Sequence, residues 1–184
     1  VEYTISEIEA ERRQQLIDLS SYLNPQTSVT SILVGVNGVA YPASPIQSDR
    51  GEKHADVQFV DDHLPAISEQ ARSRYDETRQ RTTVSLTLNR NPCSDCAPAI
   101  GSAQQRHAQI IQFSVFFAGP WADFSEFTPD KKNLTEAAHE RAVSEIAELI
   151  KSGVSVGPTQ VWQWFTDNHF FWKVKRIWGP ENQL

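Results

Sequence analysis

The sequence is short of the features that mark several classes of protein. Its 184 residues include 2 cysteines, so at most one disulfide can form, and a chain of this length can bury a core without such staples. No apolar run reaches the roughly 18 residues of a transmembrane helix. The N-terminus lacks the basic-then-apolar pattern of a signal peptide. Methionine is absent as well, and we expect the chain to be a fragment of a longer protein.

Basic residues are scarce relative to acidic ones. The chain has 17 Lys and Arg against 23 Asp and Glu, which gives a net charge of −6. This balance argues against broad, non-specific nucleic-acid binding, because neutralising phosphates requires clustered Lys and Arg. It is still compatible with a local basic groove on an acidic body. Hydrophobic residues at 39% and charged residues at 22% are ordinary for a soluble globular domain.

The periodicity of apolar residues predicts helices and strands that alternate along the chain. Helices are predicted over Ile5–Leu23, from His54 onward, from Ser94 or Asp95 to about Arg106, over Leu134–Lys151 and from Thr159 onward. Strands are predicted on both sides of Asn37-Gly38, over Thr82–Leu88, over Gln109–Gly119 and over residues 154–156. Pro65 is expected to kink or split the helix that contains it.

This order favours an α/β domain with a sheet that is at least partly parallel and is covered on both faces. We expect one domain over residues 1–184, in which 1–26 form a helical extension and 173–184 form a tail. The strand over 109–119 is apolar throughout, so it is predicted to be buried on both faces. The polar stretch "SPIQSDRGEK" is predicted to be a loop.

Both cysteines lie in "LNRNPCSDCAPAI", directly after a predicted strand. A Cys-x-x-Cys spacing is tight for a structural bridge and is more typical of a redox centre or half of a metal site. A thioredoxin-like motif would also follow a strand and open a helix. The spacing of Cys93 and Cys96 therefore leaves both interpretations open, and a partner elsewhere in the chain must decide between them.

His54 is the candidate partner, at the point where a loop enters a helix in "HADVQF". One imidazole and two thiolates make three zinc ligands, which leaves the fourth position of a tetrahedral site for water. Helix N-termini favour the thiolate forms of Cys93 and Cys96. A carboxylate beside that water is needed to move protons, and Asp56 lies two residues after His54.

His-x-acid followed by Pro-Cys-x-x-Cys, in this order of elements, resembles the zinc-dependent cytidine deaminase superfamily. The resemblance runs from about Val29 to Trp172 and favours the AID/APOBEC-like branch. It is carried by "PCSDCAPAI", "IIQFSVFFAGPWADF" and "EIAELIKSGVSVGPTQVWQWFTDNHFFW". Among bacterial toxin domains, the chain is most similar to SsdA-type deaminases of single-stranded DNA.

The resemblance implies a fold, a cofactor, a reaction and partners. The fold would be a three-layer α/β/α sandwich with a five-stranded mixed sheet and helices on both faces. His54, Cys93 and Cys96 would hold Zn²⁺, and Asp56 would carry protons while cytosine is converted to uracil. As the toxin domain of a secreted effector, the chain would act in the target-cell cytoplasm on single-stranded DNA, favoured over RNA. It would also be bound by an immunity protein, and no membrane is involved.

One position departs from the pattern of this family, because Asp56 stands where the family has Glu. Asp is shorter by one methylene, about 1.5 Å. A displacement of that size at a reacting centre can cost on the order of 100-fold in rate. Asp61 and Asp62 lie more than a turn further on, so we do not expect them to substitute for it.

Three residues are candidates for contacting the substrate. Trp121 and Phe124, in the aromatic loop after the strand over 109–119, can stack on bases, or they can close the core beneath a long loop. Asn37 can contact a ribose or a base, or it can serve the turn that Asn-Gly favours. The C-terminal "FFWKVKRIW" mixes basic and aromatic residues, as in a nucleic-acid groove or in an amphipathic helix packed on the sheet.

Two alternative functions stay open at this level. The substrate can be RNA or a free nucleoside or nucleotide, which the acidic net charge favours mildly. The domain can also be a non-catalytic, zinc-stabilised binding module in which Asp56 marks lost chemistry.

Overall fold

A computed structural model describes residues 29–49, 51–117 and 135–158. Its strands are β1 (Thr30–Val36), β2 (Val39–Ala40), β3 (Ile46–Ser48), β4 (Thr82–Leu88), β5 (Ile111–Phe117) and β6 (Ser155–Pro158). Its helices are α1 (Ala55–Gln58), a π-helical turn (Phe59–His63), α2 (Leu64–Thr78), α3 (Cys96–His107) and α4 (Glu136–Lys151). The predicted helix over 5–23, the loop with Trp121 and Phe124, and the C-terminal aromatic segment lie outside these residues.

The sheet is mixed, and β1 lies between antiparallel neighbours. One edge of β1 pairs with β4, and the other pairs with β2 near Val36 and with β3 near Thr30. β2 and β3 therefore share one edge position as two halves of an interrupted strand. The prediction of a polar loop over residues 44–53 is wrong in its first part, because Ile46 and Ser48 are buried on alternate positions of β3.

The other half of the sheet is parallel. β4 pairs with β5 and β5 pairs with β6, both in parallel register, which gives the order β2-β1-β4-β5-β6. This confirms the predicted α/β class with a mixed, open sheet, and the arrangement is consistent with three layers. In β5 the alternate residues are buried and half-buried, so both faces of this strand are covered, one of them more completely.

The long helical segment contains an irregular turn directly before the proline that the sequence marked. α1 runs into the π-helical turn at Phe59, and α2 follows with Pro65 in its first turn. Proline cannot donate the backbone hydrogen bond of its position, and π-helical turns are a common cause of irregularity in helices. The disturbance predicted near Pro65 therefore takes the form of a π-helical turn and not of a break, because the dihedral angles stay helical at Gln58, His63 and Leu64.

Apolar residues of the strands and helices form one core cluster. It includes Ile32, Phe59, Ile67, Val84, Leu86, Leu88, Ile100, Phe113, Val115, Ile146 and Leu149. The middle of α3 lies close to the C-terminal end of α4. A Cβ atom added at Gly101 would lie only 2.6 Å from Ser152 Oγ. α4 also contacts the loop that precedes α3, where Asn91 donates a hydrogen bond to Glu145 at 3.1 Å. In the part of the chain described, no helix is both long enough and apolar enough to span a bilayer.

Candidate metal centre

His54, Cys93 and Cys96 meet in space. The His54 Nδ1 atom lies 3.2 Å from Cys96 Sγ and 3.3 Å from Cys93 Sγ, and the two sulfurs lie 3.4 Å apart. A tetrahedral zinc with ordinary bond lengths separates two sulfurs by about 3.8 Å and a sulfur from a nitrogen by about 3.6 Å. The three atoms are thus positioned to hold one metal ion after small outward shifts.

The His54 side of the centre comes from β3 and the start of α1. His54 is the N-cap of α1 but makes no side-chain cap hydrogen bond. Instead, the Ala55 N–H donates to Ser48 Oγ at 3.0 Å, so a hydroxyl from β3 replaces the missing cap. The imidazole is therefore free of any capping role, and its Nδ1 faces the sulfurs.

The segment before His54 is exposed and held by polar contacts. The Gln58 side-chain amide donates to the Lys53 carbonyl at 2.6 Å. The Lys53 ammonium lies 2.9 Å from an Asp61 carboxylate oxygen and 3.5 Å from one of Asp62. The side chains of Asp61 and Asp62 are both more than half exposed, in agreement with the expectation that neither replaces Asp56.

The Cys93 sulfur lies in the turn that starts α3. The backbone amides of Asp95 and Cys96 lower the pKa of the Cys93 thiol, and the Cys93 carbonyl accepts the Ala97 N–H at 2.9 Å. α3 begins at Cys96 with Asp95 as N-cap, close to the predicted start, although Asp95 makes no side-chain cap. Amides aimed at a sulfur favour its thiolate form, which is the form that binds metals.

The two thiols share a proton unequally. The hydrogen bond between the two sulfurs, together with the backbone amides, lowers the pKa of Cys93 to about 5. The same hydrogen bond and burial raise the pKa of Cys96. One thiolate thus exists without a metal, and metal binding must displace the remaining proton.

Asp56 lies beside the cluster and inside the protein. Its side chain is 3% exposed, and its Oδ1 atom has no hydrogen-bond partner among the described residues. Burial raises the pKa of Asp56 to about 6, while a hydrogen bond with Cys96 acts in the opposite direction. Burying a carboxyl oxygen without a hydrogen-bond partner is energetically costly.

The ligand set contains three residues in the part of the chain that the structure describes. Within residues 29–49, 51–117 and 135–158, only His54, Cys93 and Cys96 bring their donor atoms within 4.8 Å of one another. Asp56 contacts Cys96 but does not belong to this set. Among the described residues, the cluster therefore offers three donors, one fewer than a closed tetrahedral site uses.

Asn37 lies at the other end of the sheet. It has a positive φ of 50° in the β1–β2 turn, and its Oδ1 accepts the Thr83 N–H at 3.0 Å. Thr83 is five residues before Leu88, or roughly 16 Å along β4 from the end that leads to the cysteines. These contacts are those of a turn, and the substrate role of Asn37 stays a prediction. Trp121 and Phe124 lie outside the described residues.

Three buried polar residues around the centre were not predicted. Asn91 Nδ2 donates to the Pro92 carbonyl at 2.9 Å and to Glu145 Oε2 at 3.1 Å. Ser48 caps α1, as described above. A signal for Glu145 existed, because it lies on the helical stripe of Ala138, Ala142 and Leu149, where a charge is unusual. Nothing in the sequence pairs it with Asn91, from which it is separated by 54 residues.

In comparisons with known proteins, no family model matches the chain and no curated protein sequence matches it. The function must therefore be inferred from the side chains of the centre and from the motif that joins them.

Proposed function

We propose that the chain is a zinc-dependent deaminase that converts cytosine to uracil in single-stranded DNA. The observation that carries the proposal is the placement of Asp56 next to the three ligands, since Asp56 is a buried carboxyl group with one oxygen that has no partner among the described residues. A structural zinc site does not require a buried carboxyl group beside its ligands. Hydrolytic deamination does require a carboxylate, which transfers protons.

The donor set fits zinc. One imidazole nitrogen and two thiolates are borderline-soft ligands that suit Zn²⁺, while Mg²⁺ and Ca²⁺ prefer oxygen. When bound, zinc supplies Lewis-acid activation of water. His54 Nδ1 and the sulfurs of Cys93 and Cys96 would hold the ion, and the backbone amides of Asp95 and Cys96 would keep the Cys93 sulfur ionised.

Asp56 would then transfer protons during the reaction. Water adds its oxygen to C4 of cytosine, the C4–N bond breaks, and ammonia leaves, so one cytosine and one water give one uracil and one ammonia. We propose that the Asp56 carboxylate takes a proton from the water side and returns protons to N3 and to the departing amino group. The burial of Asp56 supports this role, because bulk water that is excluded from the site cannot compete for the transferred protons.

The choice of single-stranded DNA is supported by sequence. The segment after β5, "AGPWADF", resembles the aromatic substrate loop of polynucleotide deaminases, and Trp121 and Phe124 would stack on bases flanking the target. On the same basis we propose that the chain is the toxin domain of a bacterial secreted effector. It would act in the target-cell cytoplasm and would be bound by a cognate immunity protein.

Mass spectrometry of a cytosine-containing oligonucleotide tests the reaction. The product gains about one dalton for each cytosine deaminated. We expect this gain with zinc-loaded protein, no gain with Asp56→Asn, and an equal or faster rate with Asp56→Glu, which restores the longer side chain. A zinc-loaded, folded Asp56→Glu variant that leaves cytosine unchanged in DNA, RNA and free cytidine would defeat the proposal.

One observation favours a second function, a zinc-stabilised nucleic-acid-binding module. Asp56 is one methylene shorter than the usual Glu, so the centre can keep its metal after losing activity. This alternative predicts binding of oligonucleotides without turnover, even in the Asp56→Glu variant. Competition between free cytidine and an oligonucleotide separates the deaminase of polymers from a deaminase of free nucleosides.

A further inference from the structure

We infer that Glu145 is a positioning residue for the metal centre and acts through Asn91. Glu145 belongs to α4, far from the centre in sequence, yet Asn91 in the loop before Cys93 donates a hydrogen bond to it at 3.1 Å. The inference rests on the metal site of the proposed function but not on its substrate or reaction.

The geometry places both donor hydrogens of the Asn91 amide. One goes to Glu145 Oε2, and the other goes to the Pro92 carbonyl, which belongs to the residue directly before Cys93. A side-chain amide has two N–H groups, so both are used. The rotation of the Asn91 side chain and the position of the peptide before Cys93 are thus fixed by the same carboxylate.

Burial makes this contact strong enough to matter. Asn91 is 1% exposed and Glu145 is 7% exposed, so water competes poorly for either group. The Glu145 carboxylate also lies 3.8 Å from the Arg141 guanidinium on the same helix, which offsets the cost of burying its charge. Hydrogen bonds to charged groups are about twice as strong as those between neutral ones.

The consequence concerns the metal and not the fold alone. Some residues orient a metal ligand through a hydrogen bond. Replacing such a residue typically lowers metal affinity 10- to 100-fold. Cys93 has few side-chain torsions, so its sulfur position follows its backbone. We propose that the Glu145–Asn91 hydrogen bond holds that backbone where the Cys93 sulfur meets His54 and Cys96.

Cobalt binding to the full chain tests this inference without any substrate. Co²⁺ reports both affinity and ligand geometry through its absorption bands. We expect Glu145→Leu to lower Co²⁺ affinity about 10- to 100-fold and to change the absorption spectrum. We expect Glu145→Gln, which keeps an oxygen acceptor for Asn91, to retain the wild-type spectrum and most of the affinity.

Gln104→Leu is the matched control for loss of a buried polar group. Gln104 is 3% exposed and bonds to β5, accepting the Phe113 N–H at 2.8 Å and donating to the Ile111 carbonyl at 3.2 Å. This variant should unfold more easily and yet bind Co²⁺ like the wild type. If Glu145→Leu does not fold, Asn91→Ala removes the same hydrogen bond from the loop side and should show the same loss of affinity.

The outcomes separate the two proposals. A folded Glu145→Leu or Asn91→Ala that binds Co²⁺ with wild-type affinity and spectrum overturns the positioning role. A loss no larger than that of Gln104→Leu overturns it as well. A wild-type chain that binds no Co²⁺ or Zn²⁺ overturns the metal centre itself, whereas intact metal binding without deamination leaves the role of Glu145 standing.

Discussion

The two sides of the candidate metal centre are built differently. The loop before His54 is exposed at every described position from Asp49 to His54, and Lys53 in this loop pairs with Asp61 and Asp62, which are nearby in sequence. The loop before Cys93 is buried at Asn89 and Asn91, and their partners lie 54 to 60 residues away along the chain. The loop before His54 is therefore held mainly by contacts close in sequence, and the loop before Cys93 is held by contacts with distant segments of the fold.

This contrast predicts that the ligands on the two sides are ordered to different degrees before a metal binds. A ligand fixed by long-range contacts keeps its position whenever the domain is folded. A ligand on an exposed loop is ordered partly by the metal, so its ordering cost lowers the affinity. The Cys93 and Cys96 pair should thus form the permanent half of the centre, and His54 should complete it upon binding.

Removal of the metal is expected to have the largest effect. Zinc at a free concentration 1,000 times its Kd stabilises the folded state by about 4 kcal/mol, and a chelator should abolish that gain. Hydrogen exchange can then compare two matched amides, because Gln58 N–H and Ala97 N–H each donate to the carbonyl of a metal ligand at 2.9 Å. We expect the amide of Gln58 to lose more protection than that of Ala97.

The opposite order of protection loss would contradict the comparison. The Ser85 amide in the middle of β4 serves as the reference, since it lies in the core sheet and should exchange alike with and without zinc. Loss of protection at Ser85 would mean that the whole domain unfolds without the metal. The two sides of the centre could not then be distinguished.

Removal of the Ser48 hydroxyl should have an intermediate effect. Ser48→Ala takes away the group that accepts the Ala55 N–H, and loss of a helix cap typically costs about 1 kcal/mol. Because this cap sits next to His54, zinc affinity should also fall several-fold. Denaturant unfolding and zinc competition with a chromophoric chelator measure the two quantities.

Ser68→Ala provides the control for that experiment. Ser68 Oγ bonds to the Pro65 carbonyl at 2.8 Å, well away from the centre, so its loss should leave zinc affinity unchanged. Equal zinc affinity in Ser48→Ala and Ser68→Ala would show that the cap does not position His54.

The sequence predicted what depends on local pattern. Alternation in Val84, Leu86 and Leu88 predicted β4, and the fully buried side chains confirm it. Pro65 predicted an irregularity in the helical segment, and a π-helical turn lies directly before it. The spacing of the cysteines and the position of His54 predicted a metal cluster, because each ligand lies at the boundary between a loop and a helix.

What the sequence could not predict depends on contacts between distant segments. β3 was missed because Ile46 and Ser48 become strand residues only when β1 supplies their hydrogen bonds. Asn91 and Glu145 were missed for the same reason, since neither residue type specifies its partner. The tertiary fold decides which groups orient a metal site, and the local periodicity of the sequence does not indicate them.

Loss of the Lys53 ion pairs should have the smallest effect and tests the limit of the comparison. The ammonium pairs with Asp61 at 2.9 Å, but both side chains are about half exposed, so salt and water screen the attraction. Lys53→Gln should leave both the denaturation midpoint and the zinc affinity within error of the wild type. If zinc affinity falls tenfold or more while the midpoint stays constant, Lys53 must order the loop before His54. The histidine side would then be preorganised from the surface, and its exposure would no longer imply that the metal orders it.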